Sequence, residues 1–193
     1  MNSLYDFIVT PLNERYNNTK SISGKEVVIN SNIENFKAIS TLAKVISVPL
    51  AFNCEIEEGD IVHIHHNIFR RWYDVKGVER NSRSYFKDDL YFCGVDQLYL
   101  YKKNNVWNSF SDRCFVIPIE NEIQKGIVKY GNRILEKKGI LRKDIVSFKP
   151  HREFECVINE TLLYCMKSKD IIIKYERKGN EKEYNPSWTS SSR

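Results

Sequence analysis

The chain has 193 residues, of which 41% are hydrophobic and 12% aromatic, and its net charge is +5. This length and composition predict an ordered globular protein with one large domain or two small ones. The mild charge permits an acidic partner without requiring nucleic acid. No run approaches the roughly 18 consecutive apolar residues of a membrane-spanning helix, so we expect no membrane association.

Cysteine use and the opening residues bear on the cellular compartment. The five cysteines are scattered, and none has C-x-x-C spacing. This favours buried thiols in a reducing compartment over a disulfide framework or a zinc knuckle. The opening residues, MNSLYDFIVT, lack a basic region ahead of an apolar one, so we expect no secretory signal. The expected location is the cytoplasm.

Most of the chain is predicted to form short β-strands that are rich in Val, Ile, Phe and Tyr and separated by polar turns. In chain order they are DFIVTP, AISTLAKVIS, DIVHIHHNIF, LYFCGVDQLYLY, RCFVIPI, DIVSF, FECVI and DIIIKY. The one helical candidate is NEIQKGIVKYGNRILEKK, residues 121–138, in which Ile127, Tyr130 and Ile134 recur at helical spacing. Two internal glycines weaken that helix. The sequence therefore predicts a mainly β protein, a sandwich or barrel with few or no helices.

A long polar stretch, residues 13–35, contains three consecutive β-branched residues, Val27, Val28 and Ile29. A segment this polar buries too little apolar area to offset its ordering entropy, so residues 15–35 are predicted to form a mobile loop. Two interpretations of the apolar tripeptide remain open at this point. It is either a short edge strand or a docking site for another protein.

Three strand-like strings recur in the same order in the two halves of the chain. The pairs are FIVTPLNE (residues 7–14) with FVIPIENE (115–122), GDIVHI (59–64) with KDIVSF (143–148), and LYFCGVDQLYL (90–100) with LYCMKSKDIII (163–173). The last pair aligns without a gap. This order predicts a tandem duplication of one β unit.

The duplication and the composition of the last residues together predict three segments. A first β unit over residues 1–110 carries the mobile loop, and a shorter second unit over residues 111–176 lacks such a loop. Residues 177–193 contain no Leu, Ile or Val and are predicted to form a flexible, solvated arm, which Tyr184 and Trp188 could anchor on a neighbour.

The cluster HIHH, residues 63–66, is the one metal-like motif. On a strand, His63 and His65 share a face while His66 points away. Two imidazoles at this spacing can hold a metal, but a catalytic zinc usually requires a third protein ligand, and no acidic residue follows at a familiar spacing. Solvated or hydrogen-bonded histidines, with no bound metal, are therefore expected.

The stretch FRRWYDVKGVERNSRSYFK, residues 69–87, interleaves six basic residues with aromatic ones against only two acidic residues. On a β-barrel this composition is typical of a surface that binds single-stranded nucleic acid. The same residue types are also favoured at protein interfaces. We call the following residues the basic-aromatic patch: Arg70, Arg71, Trp72, Tyr73, Arg80 and Arg83.

Several of these motifs match one known family in order. FIVTPLNE matches a first strand that carries RPL, SGKEVVI lies where a loop with a glycine and three aliphatics is expected, and EEGDIVHI and RKDIVSF match VGDIVIF. VINETLLYCMKSKDIIIKYE matches the closing hairpin and strand. The chain thus resembles the GroES-type (chaperonin-10) co-chaperonin family, and most of all its long, bacteriophage-type versions. It differs in its double length and in Lys25 and Glu26, which separate the loop glycine from the aliphatics.

The resemblance implies a GroES-like β-barrel that acts as a non-enzymatic lid and assists protein folding. It implies a cyclic homo-oligomer, a heptamer in the family, that caps a GroEL-type chaperonin. Gly24, Val27, Val28 and Ile29 would form the loop that enters an apolar groove, and no cofactor is implied. The implied location is the cytoplasm, or the host cytoplasm for a phage-encoded protein. The absence of a phosphate-binding loop or nucleophile motif agrees with a non-enzyme, and the alternative function is a nucleic-acid-binding β-barrel.

Overall fold

A computed structural model describes residues 3–22, 24–28, 32, 35–51, 53–176 and 181–191. Within these residues the chain forms seventeen β-strands and one short α-helix, so the mainly β prediction is confirmed. The chain divides into two compact units, Met1–Val106 and Trp107–Arg193. In the part of the chain that is described, no helix is long and apolar enough to cross a membrane.

The first unit is built around one antiparallel sheet. In chain order, the strands of the first unit are β1 (Phe7–Pro11), β2 (Thr19–Ile22), β3 (Lys25–Val28), β4 (Leu42–Ser47), β5 (Ile61–Ile64), β6 (Arg71–Tyr73), β7 (Glu79–Asn81), β8 (Tyr85–Lys87), β9 (Leu90–Cys93) and β10 (Leu98–Lys103). The main sheet has the order β10-β5-β4-β1-β9-β8, and β11 (Val106–Ser109) begins at the last residue of this unit. Strands β2 and β3 form one separate hairpin, and β6 and β7 form another.

The second unit contains a six-stranded antiparallel sheet. Its elements are β12 (Arg113–Pro118), β13 (Lys125–Tyr130), α1 (Arg133–Glu136), β14 (Ile145–Phe148), β15 (Phe154–Ile158), β16 (Thr161–Lys167) and β17 (Ile171–Tyr175). The strand order is β17-β14-β13-β12-β16-β15. Each strand of this sheet corresponds in position and in chain order to one strand of the first unit, whose order is β10-β5-β4-β1-β9-β8.

The two sheets also share their register. Pro11 of β1 faces Ala43 of β4, and Pro118 of β12 faces Gly126 of β13, with a register shift three residues before each proline. The gapless sequence alignment pairs Leu98 with Ile171, and these residues occupy the same ladder position in β10 and β17. The strings that recur in the sequence therefore fold into equivalent strands of one repeated topology.

The helix predicted over residues 121–138 is wrong over most of its length, because Lys125–Tyr130 form β13 and only Arg133–Glu136 are helical. Gly126 decides the outcome: a Cβ atom there would lie 2.8 Å from the carbonyl oxygen of Ile117, so the strand needs glycine to approach its neighbour. Helix α1 is only four residues long, and the Asn132 side chain caps it by accepting hydrogen bonds from the backbone N–H groups of Ile134 and Leu135.

Apolar side chains from the strands fill the core of each unit: β4 alternates between buried and less buried positions, whereas β10 and β14 are buried at four consecutive positions. In the first unit the rings of Phe69 and Tyr91 meet edge to face with centroids 4.9 Å apart. In the second unit a buried cluster includes Cys114, Val116 and Met166. Four of the five cysteines are buried as free thiols. Burial raises the pKa of the Cys114 thiol to about 12, so this thiol is inert at neutral pH.

Two insertions distinguish the first unit from the second. The first insertion, residues 12–41, lies between β1 and β4, where the second unit has only residues 119–124. The second insertion, residues 65–84, lies between β5 and β8, where the second unit has only residues 149–153. Strands β1 and β5 are both antiparallel to β4, so they run in the same direction. Both insertions therefore begin at the same end of the sheet.

The C-terminal arm, predicted over residues 177–193 to be flexible and solvated, is described over residues 181–191, where most side chains are exposed but polar groups bond to the second unit. The backbone N–H of Tyr184 donates to the carbonyl oxygen of Pro118 at 2.8 Å. The Asn185 side-chain oxygen accepts a hydrogen bond from the N–H of Leu162 at 2.9 Å, and Thr189 is buried. Because these polar groups pair with strand ends, residues 181–191 are part of the second unit.

Candidate docking surface

The first insertion carries the β2–β3 hairpin. Thr19 pairs with Val28, and Ile22 pairs with Lys25 across a two-residue turn. The second turn residue, Gly24, has a φ of 78°. Two-residue hairpin turns require positive φ, which glycine adopts without strain. Gly24 of the predicted loop site is therefore the residue that lets the chain reverse.

Val27 and Val28 lie in β3 and are both exposed, by 43% and 66%. Successive strand residues point to opposite faces, so neither face of this hairpin buries its valine. The valines thus form a short strand that is not part of a core, and the docking interpretation made from the sequence stays a prediction. Ile29, the third predicted docking residue, lies outside the described residues.

The first insertion is closed at the base of its hairpin by residues 15–17 and 38–40, which we call the neck. Tyr16 forms a β-bridge with Ile39, and both side chains are buried. The N–H of Asn17 donates to the carbonyl oxygen of Ala38 at 2.7 Å, and the N–H of Ser40 donates to that of Arg15 at 3.0 Å. The segment predicted as a mobile loop over residues 15–35 thus begins in ordered, paired backbone, with its exposed apolar residues in the β2–β3 hairpin.

Arg15 connects this neck to the second insertion. Its guanidinium donates to the carbonyl oxygens of Phe69 at 2.5 Å and Arg70 at 3.1 Å, and to the side-chain oxygen of Asn81 at 2.7 Å. These acceptors flank the β6–β7 hairpin on both sides. One side chain therefore fixes both strands at the base of that hairpin.

Tyr16 and Phe36 make further contacts between the two insertions. The Tyr16 hydroxyl accepts a hydrogen bond of 2.7 Å from the backbone N–H of Arg71, and the Arg71 guanidinium lies 4.6 Å from the centre of the Tyr16 ring. At the other side of the neck, the rings of Phe36 and His66 have centroids 5.6 Å apart. The bases of the two insertions thus form one connected structure.

The β6–β7 hairpin has a fixed turn. The Asp74 carboxylate accepts hydrogen bonds of 2.9 Å from the backbone N–H groups of Lys76 and Val78. It also forms an ion pair of 3.0 Å with Arg80. The hydrogen bond from Val78, with those from Lys76 and Arg80, lowers the pKa of Asp74. Asp74 is therefore ionised at neutral pH and organises the turn.

The structure gathers the basic-aromatic patch on this hairpin and its base but divides its members into two groups. Arg71 and Arg80 form ion pairs within the hairpin, with Glu79 and Asp74. Trp72 and Tyr73 are exposed by 42% and 52%, and Arg70 and Arg83 are exposed as well. The surface available to a partner therefore consists mainly of two aromatic rings and the cations outside the ion pairs.

The predicted histidine cluster is local structure at the end of β5. His63 is buried, and its Nε2 lies 3.0 Å from the Thr41 hydroxyl. Burial lowers the pKa of His63 to about 4, so the ring is neutral. His65 Nδ1 accepts a hydrogen bond of 3.0 Å from the N–H of Asn67. Across the described ranges, no group of three His, Cys, Asp or Glu side chains could hold a metal ion.

Sequence reasoning missed Arg15, Tyr16 and Asp74. Arg15 and Tyr16 belong to a polar stretch and look like loop residues, and their partners lie 54 to 66 positions away. Asp74 offered a usable signal, because Asp followed three residues later by Gly is typical of a turn.

Comparisons with protein-family models and with curated proteins find no match for this chain. The resemblance to the GroES-type family therefore stays a prediction that rests on motifs and on their repetition. The geometry of the two insertions does not depend on that resemblance, and it bears on function separately.

Proposed function

We propose that this protein is a non-enzymatic co-chaperonin lid that docks on a GroEL-type chaperonin through the β2–β3 hairpin and assists protein folding in the cytoplasm. The observation that carries the proposal is the exposure of Val27 and Val28 on both faces of a hairpin. That hairpin belongs to an insertion that the second unit, of the same topology, does not have. The apolar residues are therefore not needed for the fold.

The energetics of this hairpin suit reversible docking. Full burial of a valine side chain contributes about 1.5–3 kcal/mol, so two valines supply a modest gross gain. An isolated two-stranded hairpin is marginally stable, and ordering it on binding reduces the net gain. Several hairpins on one oligomer restore affinity through avidity, which suits a lid that must bind and leave repeatedly.

A cyclic homo-oligomer is part of the proposal, and the family implies seven subunits. Strand β17 lies at the end of its sheet and pairs only with β14 among the described residues. Its Ile172 and Ile173 are exposed by 53% and 46%. An exposed apolar edge strand requires protection, and a heterologous contact that closes into a ring provides it.

The test is co-migration with a purified GroEL-type double ring in the presence and absence of nucleotide. Val28→Asp should abolish co-migration, because a carboxylate buried in an apolar groove costs several kcal/mol per site. Ile123→Asp is the matched control, since Ile123 is highly exposed and lies in the short loop that occupies the equivalent position in the second unit. Wild-type protein that never co-migrates, or loss of binding in both variants alike, would contradict the proposal.

A second candidate function is binding of single-stranded nucleic acid by the basic-aromatic patch. Exposed Trp72 and Tyr73 favour it, because aromatic rings stack on bases. The ion pairs of Arg71 and Arg80 weigh against it, since they reduce the positive charge available to phosphates. In this case Arg70→Ala with Arg83→Ala should lower affinity for a single-stranded oligonucleotide and flatten its salt dependence, while Val28→Asp should leave it unchanged.

A further inference from the structure

The second insertion presents an exposed hairpin whose base is bonded to the base of the insertion that carries the proposed docking hairpin. We infer that the β6–β7 hairpin is a second docking arm that contacts the same chaperonin, on a surface that is apolar and bordered by carboxylates, and that Arg15 positions it. This inference rests on the proposed function. It adds a second contact site whose residues are separate from Val27 and Val28.

The placement of the two insertions supports a shared partner. Both begin at the same end of the main sheet, because β1 and β5 run in the same direction. Arg15 leaves the neck of the first insertion and binds Phe69, Arg70 and Asn81, at the base of the second. A partner that meets one hairpin therefore approaches a base that is common to both.

The second unit serves as an internal comparison. It keeps the strand order and register of the first unit with only residues 119–124 and 149–153 at the two equivalent positions. The β6–β7 hairpin is thus dispensable for the topology, as the β2–β3 hairpin is. Both extra hairpins occur in the same unit, which agrees with a common use.

The β6–β7 hairpin has the properties of a preorganised contact. Its turn is fixed by Asp74, one ion pair (Arg71 with Glu79) joins its strands, and a second (Arg80 with Asp74) joins β7 to the turn. Ordering such a hairpin on binding costs little, which improves affinity. Its exposed residues include the fully exposed Val75 at the turn and the aromatic Trp72 and Tyr73, and buried Trp and Tyr side chains are the most frequent hot spots of interfaces.

The charge on this arm specifies the partner's chemistry. Arg70, Lys76 and Arg83 are exposed, and none of them forms an ion pair with another described residue. Charges at the rim of an interface favour an oppositely charged surface and accelerate association. The partner surface that fits is therefore an apolar area with acidic residues around it.

The sharpest variant is Val75→Asp, because a fully exposed side chain at a turn can be replaced without disturbing the fold. We expect its affinity for the nucleotide-bound chaperonin to fall at least about tenfold, because a carboxylate enters an apolar contact. Ile123→Asp, with the same change of chemistry in the second unit, should bind like the wild type. Thermal melting of each variant shows that the fold is intact.

The result separates the two proposals. If Val28→Asp abolishes binding while Val75→Asp binds like the wild type, the second arm is wrong and the lid proposal survives. If neither variant weakens binding, the lid proposal itself fails. If Trp72→Ala abolishes binding of a single-stranded oligonucleotide and leaves chaperonin affinity unchanged, the arm serves nucleic acid and the inference is overturned.

The positioning role of Arg15 is tested by a double-mutant cycle with Arg15→Lys and Val75→Asp. Lysine keeps the charge but has all its donors on one nitrogen, so it cannot reproduce the bonds that the guanidinium makes from three nitrogens. If Arg15 positions the arm, Val75→Asp should reduce chaperonin affinity less than about threefold in the Arg15→Lys background, against about tenfold in the wild type. If the losses of chaperonin affinity caused by the two substitutions are additive, Arg15 has only a structural role.

Discussion

Arg15 donates a hydrogen bond of 2.7 Å to the side-chain oxygen of Asn81, which lies 66 positions further along the chain. The same guanidinium lies 5.1 Å from the centre of the Tyr91 ring in β9. One half-buried side chain thus joins the neck of the first insertion, the base of the second and a core strand. A substitution of Arg15 should therefore affect all three of these regions.

Replacement of Arg15 by alanine should lower the free energy of unfolding by about 2 kcal/mol, because three hydrogen bonds of about 0.5–1.5 kcal/mol each are lost. Asn81→Ala removes only one of them and should cost about 1 kcal/mol. Urea unfolding measures both values. Arg83→Ala is the control, since Arg83 is exposed and should be neutral. Equal effects of Arg15→Ala and Arg83→Ala would show that the connection contributes nothing to stability.

Acid should destabilise the first unit through His63. Its pKa is about 4 in the folded protein against 6.5 for an ordinary histidine, so between these values the unfolded chain binds a proton that the folded chain does not. Stability is therefore full above about pH 6.5 and falls as the pH decreases towards about 4. We expect a loss of about 2 kcal/mol between pH 7 and pH 5, measured by urea unfolding.

His63→Gln is the control for this pH dependence, because glutamine can still bond to Thr41 but does not titrate. The equivalent ladder position in the second unit is Ser147, which also does not titrate. The variant should show a clearly smaller difference between pH 7 and pH 5. An unchanged difference would assign the acid sensitivity to other groups, such as His66, whose pKa burial also lowers to about 4.

Gly126→Ala should destabilise the second unit by about 1–3 kcal/mol, because the new Cβ atom would lie 2.8 Å from Val116 as well as from the carbonyl oxygen of Ile117. Gly131→Ala is the matched control, since its nearest neighbour would be at an ordinary 3.7 Å. Thermal unfolding compares the two variants. Equal melting temperatures would mean that β13 does not approach β12 as closely as described.

Ile173→Lys should convert the proposed ring into single chains, because an exposed lysine on an edge strand opposes strand pairing. Ile173 is 46% exposed on β17, and Ile134, which is 42% exposed on α1, provides the control variant Ile134→Lys. Light scattering at micromolar concentration measures the mass. A wild-type protein with the mass of one chain would already contradict the ring, and so would an Ile173→Lys variant that stays assembled.

The sequence was most informative where strands are short, apolar and repeated. The pairing of LYFCGVDQLYL with LYCMKSKDIII aligned Leu98 with Ile171, and these residues occupy equivalent ladder positions. The helix over residues 121–138 failed because Ile127 and Ile134 also fit a strand followed by a single helical turn, and the pairing of β13 with both β12 and β14 is not visible in the local pattern.

The candidate site could be predicted only in part, and for a physical reason. Exposure of Val28 follows from its polar surroundings, and the turn at Gly24 follows from glycine's conformational freedom. The clamp of Arg15 on Phe69 and Asn81 depends on the direction of β1 and β5 in the folded sheet. No local pattern encodes that long-range relationship, which is why Arg15 and Tyr16 went unnoticed.

We propose that the hairpin bearing Val27 and Val28 docks on a chaperonin ring. Amide hydrogen exchange of residues 25–28 in the intact protein, with and without a GroEL-type chaperonin and nucleotide, tests it most directly. These amides should exchange rapidly in the free protein, because an isolated two-stranded hairpin opens readily. We expect strong protection of residues 25–28 in the complex, while residues 62–64 of core strand β5 stay protected in both states. Unchanged rapid exchange of residues 25–28 in a complex that demonstrably forms would contradict it.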